Sequence, residues 1–155
     1  MDTIIKKKET FSVLGVQSQI NQGSETSELF AGIWKLFESY REIIESLSID
    51  NKYFGIQFPT DKGEVTEYMA GMMVEEDSVV PEGLAKRVVP SGEYAAFVCP
   101  VEEIGKYYQY IFTKWLPSAS VLFNPRNPVF EEYPEKYSTG PVCIHIPITK
   151  YVKVD

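Results

Sequence analysis

Val129-Phe130-Glu131-Glu132-Tyr133-Pro134 is a short run of strand-forming residues closed by a proline. Alternate side chains of a strand share a face, so Val129, Glu131 and Tyr133 point one way and Phe130 and Glu132 the other. Burial of the first face would carry Glu131 inward with no basic residue beside it in sequence. A buried, unpaired carboxylate costs several kcal/mol, so proteins neutralise it, pair it or use it. The position of this strand within the larger pattern of the chain therefore decides both the fold and the surroundings of Glu131.

Downstream, a breaker at Ser138-Thr139-Gly140-Pro141 leads into a last strand with Val142, Ile144, Ile146 and Ile148 on one face. Upstream, Ile104, Tyr107, Tyr108, Ile111 and Trp115 form a helical stripe, opened by Pro100 with Glu102 and Glu103 and stopped by Pro117. Before that helix, Lys86-Arg87-Val88-Val89 and the alternating run from Tyr94 to Cys99 are strands separated by Pro90-Ser91-Gly92.

The first half repeats this order. Residues 3–20 read as a strand interrupted at 6–10, and a loop at Gln22-Gly23-Ser24 precedes an N-cap at Thr26 or Ser27. Phe30, Ile33, Trp34, Phe37, Arg41 and Ile44 then fall at helical spacing, with Asp50-Asn51 as the terminator. Tyr53 to Phe58 is a short strand. Tyr68, Ala70, Met72 and Val74 share one face of the next, and Gly71 on the other leaves room for close approach.

Each half, 3–74 and 84–149, thus reads broken strand, helix, strand, strand, within one domain spanning 1–155. The fold class expected is α+β: duplicated β-α-β-β halves joined edge to edge in one antiparallel sheet, two helices on one face and a groove between them. Junctions of this kind are common ligand sites.

Composition excludes several functions. A net charge of -7 lacks the basic footprint of a nucleic-acid binder, and Lys6-Lys7-Lys8 is best read as a solvated strand edge. Cys99 and Cys143 stand far apart and there is a single histidine, so neither a metal site nor a disulfide framework is indicated. No cofactor motif, nucleophile elbow or phosphate loop is present. With no signal-peptide or membrane-spanning run, a cytoplasmic protein is expected. The 10 tyrosines, 9 phenylalanines and 2 tryptophans are the outlying feature.

Several ordered landmarks carry a family likeness: Tyr53-Phe54-Gly55-Ile56, Tyr68-Met69-Ala70-Gly71, Val89-Pro90-Ser91-Gly92-Glu93-Tyr94, Trp115-Leu116-Pro117, Phe130-Glu131-Glu132-Tyr133 and Ile144-His145-Ile146-Pro147-Ile148. With them the chain resembles the GyrI-like small-molecule-binding domains, the effector-binding modules of multidrug-responsive transcription regulators of the AraC and MerR types. The resemblance implies a groove at a pseudo-two-fold centre, a lipophilic and cationic ligand, and Glu131 as the carboxylate facing it. It also implies walls from Tyr68, Ala70, Gly71 and Met72. A helix-turn-helix segment of such regulators is not readable here, so a stand-alone binder, accessory to regulation, is the expectation.

Tyr133, Tyr94, Tyr107, Tyr108, Trp115 and Trp34 are further wall candidates, with core packing as the competing role. Glu132 is expected to face solvent, and His145 has no readable partner. Two alternatives stay open. One is hydrolysis of cyclopropane-containing compounds in the same groove, with Glu131 as general base. The other is inhibition of a protein partner, as in the gyrase-inhibiting members of the family. An enzyme is the less favoured class.

Overall fold

The break at Glu9-Thr10 divides one long extended run into β1 (Thr3–Lys8) and β2 (Phe11–Asn21). These are the first elements of a computed structural model that describes residues 3–21, 26–63, 65–134 and 140–150. After α1 (Thr26–Leu47) come β3 (Ser48–Pro59), β4 (Val65–Val74), β5 (Ala85–Val89) and β6 (Gly92–Pro100). The second helical segment is a 3₁₀ turn (Val101–Glu103), α2 (Ile104–Tyr110), a π turn (Ile111–Trp115) and a last turn (Leu116–Ser118). The chain closes with β7 (Val121–Phe123), β8 (Val129–Tyr133) and β9 (Pro141–Lys150). The loop residues Gln22-Gly23-Ser24 and Ser138-Thr139 lie outside the described residues, as do the side chains of Thr26 and Ser27.

The expected α+β architecture is present, with all strands antiparallel in one sheet ordered β1-β6-β9-β8-β3-β4-β2-β5 and β7 paired to β9. The halves meet at the β3–β8 ladder, where Tyr53 stands opposite Tyr133 and Gln57 opposite Val129. Outward from that seam the order is β3, β4, β2 in the first half and β8, β9, β6 in the second, as a two-fold relation requires.

The broken strands do more than the linear pattern suggests. β1 precedes the first helix but pairs with β6 of the second half, and β5 pairs with β2 of the first. Lys8 opposite Gly92 and Phe11 opposite Val89 are rungs of one ladder on either side of the two breaks. Between them the Ser91 N–H donates to Thr10 Oγ1 at 3.1 Å. Both strands continue through their bends, so the sheet curls back and encloses a core of its own.

Two cores result. The first lies between sheet and helices and includes Leu14, Ile33, Phe37, Ile44, Met72, Phe97, Ile111, Ile144 and Ile146. The second, inside the curl, holds Val13, Phe54, Ile56, Phe58, Met69, Val89, Tyr94 and Phe130. Cross-strand glycines allow the curl: a Cβ on Gly71 would strike the Leu14 carbonyl oxygen, and one on Gly15 the Ala70 carbonyl oxygen. Gly71 therefore serves strand approach; it stands on the opposite parity to Ala70 and does not wall a site with it.

Helix α1 is held by its apolar face. Ile33, Phe37 and Ile44 are buried at the 3.6-residue repeat, while Arg41 leaves the stripe to bond Glu45 at 2.7 Å and the Tyr53 hydroxyl at 3.3 Å. It ends at Leu47, earlier than the expected Asp50-Asn51 stop. Those residues form the irregular start of β3, where Asp50 Oδ1 accepts from the Lys52 N–H at 3.1 Å and the register shifts before Tyr53.

Candidate functional site

One row of residues crosses the helix-facing side of the sheet in hydrogen-bonded register: Val16, Ala70, Gly55, Glu131, Ile144 and Phe97. Glu131 is the sole ionisable side chain in that row, at the seam between the halves. Its neighbour toward the first half is glycine and the next is alanine, so the floor on that side is low.

Above the floor the helices supply aromatic cover. The Trp34 Nε1–H of α1 donates to the Tyr68 hydroxyl at 2.9 Å, and the indole meets the Tyr133 ring edge-on at 5.7 Å. Phe30 packs on Tyr68 with ring centres 4.6 Å apart. Tyr108 comes from α2, with its hydroxyl buried. Aromatic side chains thus cover the site where a groove between the helices is expected, and Glu131 is only 6% exposed.

Burial dominates the electrostatics. It pushes the Glu131 carboxyl up to about 7, and the nearby Tyr108 hydroxyl offsets part of that rise. Burial and the charge of Glu131 push Tyr68, Tyr108 and Tyr133 above the ordinary phenol range, so these hydroxyls stay protonated at neutral pH. Among the described residues no lysine, arginine or histidine forms an ion pair with Glu131. Its Oε2 and the Tyr108 hydroxyl each lack a partner at hydrogen-bonding geometry. The result is a carboxyl poised near neutrality inside an aromatic cage, suited to holding a positive charge or exchanging a proton.

The residues singled out from sequence divide as follows. Glu131, Tyr133, Tyr68, Trp34 and Tyr108 come together, with Ala70 in the floor. Met72 is on the same face but one pair along, opposite Tyr53, as buried core. Trp115 packs edge-on against Phe97 at 5.1 Å, two strands from Glu131. Tyr107 is half-buried against the same core.

Tyr94 requires correction as a wall residue. It lies in the inner core on the opposite side of the sheet, edge-on to Phe130 at 5.3 Å, with its hydroxyl 3.4 Å from Asn127 Nδ2. Its parity is that of Ala96 and Val98, whereas Ala95, Phe97 and Cys99 face the helices. Glu132 also differs from expectation. It faces away from Glu131 but is largely sheltered between Lys8 and Lys52, each 3.5 Å away. His145, without a partner in the linear sequence, has its Nε2 3.7 Å from Glu132 Oε1 and stacks on Phe130 at 4.4 Å. Burial and Lys8 lower it to about 3, so the imidazole is neutral.

Gly55 is the site residue that the sequence pattern did not single out for a role. A Cβ there would strike the Tyr68 hydroxyl and come within 3.5 Å of Trp34 Cζ2. A glycine inside an otherwise apolar strand was the available signal.

No helix among the described residues is long and apolar enough to cross a membrane, and no group of potential metal ligands occurs among them.

Residues 4–154 match the family model described as Cass2, integron-associated effector binding protein. The transcriptional regulator BrlR of Pseudomonas aeruginosa is 26% identical over 156 residues, covering 99% of this chain. The chain spans about half of that relative, 56% of its length. Among solved structures, SAV2435 bound to tetraphenylphosphonium superposes with a TM-score of 0.76 at 15% identity, covering 96% of this chain and 94% of that one. An integron cassette protein from the mobile metagenome of Vibrio cholerae gives a TM-score of 0.67 at 19% identity, covering 95% of each chain. The structural likenesses show the fold, and the family match spans nearly every residue. The chain belongs to the Cass2 family of integron-associated effector binding proteins and has the GyrI-like effector-binding fold.

Proposed function

We propose that this protein binds lipophilic, cationic small molecules at the seam of its two halves, as an effector-sensing module linked to transcription regulation. The carrying observation is the Glu131 carboxyl, buried without a basic partner among the described residues and covered by Trp34, Tyr68, Tyr108 and Tyr133. A cation entering there gains cation–π attraction of roughly 0.5–2 kcal/mol per ring. It also supplies the missing counter-charge in a medium that screens weakly. The tetraphenylphosphonium bound to SAV2435 and the regulator role named for BrlR support the same reading.

The test is titration with tetraphenylphosphonium followed by tryptophan fluorescence, because Trp34 lies against the site. Saturable quenching that Trp34→Phe reduces and Glu131→Gln weakens is the expected result. Equal affinity in wild type and Glu131→Gln overturns the role of the charge.

A second reading has one observation in its favour, a carboxyl near neutral pH beside a tyrosine hydroxyl. Such a group suits a general base that takes a proton from water as its oxygen bonds to one carbon of a strained, acceptor-substituted cyclopropane. A ring C–C bond breaks, its electron pair passes to the acceptor-bearing carbon, and the proton held by the carboxyl is returned there. Mass spectrometry of cyclopropane-bearing compounds after incubation tests it: conversion of substrate in excess over protein marks a hydrolase, and no conversion overturns hydrolysis of those compounds.

A further inference from the structure

Glu131 Oε2 and the Tyr108 hydroxyl are buried, and among the described residues neither completes a hydrogen bond. Buried polar atoms of folded proteins are nearly always paired, so two orphans in one place need a reason. They belong to different layers, β8 in the sheet and the helix α2 above it. They lie near enough for each to alter the proton affinity of the other. The Tyr68 hydroxyl differs, since it already accepts from Trp34 Nε1 at 2.9 Å.

Both oxygens can accept hydrogen bonds, and the Tyr108 hydroxyl, close enough to steady the Glu131 carboxylate, does not reach hydrogen-bonding geometry with Oε2. The aromatic walls attract any cation whatever its substituents. The hydrogen-bonding capacity is selective: a phosphonium or quaternary ammonium brings charge and no N–H, while a protonated amine or amidinium brings both. Charge-assisted hydrogen bonds are shorter and stronger than neutral ones, and burial raises the cost of leaving them unmade.

Building on the cation-binding reading, we infer that the ligand class this site prefers is an N–H-bearing lipophilic cation, a protonated amine or amidinium. Its donors are received by Glu131 Oε2 and the Tyr108 hydroxyl. A quaternary cation of the same shape enters the same cage and leaves both atoms unsatisfied.

A matched pair tests this: diphenylpropyl-methylammonium, with two N–H donors, against diphenylpropyl-trimethylammonium, with none. Affinities are measured by calorimetry at about pH 8, where Glu131 is mostly ionised and the secondary amine remains protonated. Tetraphenylphosphonium serves as the reference cation. The N–H cation should bind about tenfold more tightly than its quaternary partner, and Tyr108→Phe should shrink that ratio. Equal binding of the pair, or a preference for the quaternary member, overturns the inference while leaving cation binding intact. Failure of all three compounds to bind overturns the cation reading and this inference with it. Should Tyr108→Phe fail to fold, the wild-type ratio still decides the matter.

Discussion

Gly55 stands directly opposite Glu131 in the ladder that joins the two halves, and the space a side chain would need there holds the Tyr68 hydroxyl. Gly55→Ala should therefore displace Tyr68 and break its bond with Trp34. Overpacking of this kind costs about 1–3 kcal/mol. The expected outcome is a lower melting temperature together with changed tryptophan emission. An unchanged emission spectrum would contradict the packing described.

Cation affinity should depend on pH through Glu131. With its carboxyl pushed up to about 7, ionisation and hence tetraphenylphosphonium affinity increase as pH rises from about 6 to 8. Glu131→Gln should bind weakly and show no such rise, as titrations across that range would reveal.

Stability should respond in the opposite sense. Between 4.5, the ordinary value, and about 7 the unfolded chain has released a proton that folded Glu131 retains, so stability falls as pH rises through this window. The loss amounts to about 3 kcal/mol at most. In thermal melts at alkaline pH, Glu131→Gln should be more stable than wild type, with the gap closing toward pH 4.5.

His145 acts on the acid side. Its folded value of about 3 lies below the ordinary 6.5, so the unfolded chain takes up a proton first as pH falls. Stability from this residue is complete above 6.5 and is lost as pH drops toward 3. Melting temperatures of His145→Leu should decline less steeply over that interval than those of wild type.

Glu132 provides the contrast to its neighbour. Lys8 and Lys52 reach it at 3.5 Å from the other side of the sheet, and both lysines are partly exposed. Glu132→Gln should cost about 1 kcal/mol or less in stability and leave tetraphenylphosphonium affinity unaltered. A loss of affinity equal to that of Glu131→Gln would place the cation elsewhere.

Much of this was legible from alternation and helical spacing. Val142, Ile144, Ile146 and Ile148 do share the helix-facing side, Glu131 and Glu132 do diverge, and the repeat of helix and strands does build one sheet. Parity says which residues share a face, however, and not which face meets the helices. On β6 both faces are apolar because one packs under helices and the other inside the curl, so Tyr94 carried no mark of its side. The approach of His145 to Glu132 brings together neighbouring strands whose register no local pattern encodes. The π turn at Ile111–Trp115 is hidden for a similar reason: an inserted residue within an apolar helix leaves the stripe looking continuous.

The exchange of β1 and β5 between the halves has a consequence for how such a molecule can arise. Neither half is self-sufficient, since each borrows an edge strand from the other and has the bend of that strand locked across the shared break. Two identical copies of a single half, trading their leading arms, would build the same curled sheet with two carboxylates, one from each copy, facing each other across the dimer axis. The tandem chain is in this sense a strand-swapped dimer made covalent. Fusion frees the two copies to diverge, so that one can keep the glutamate at Glu131 while its counterpart across the axis shrinks to Gly55.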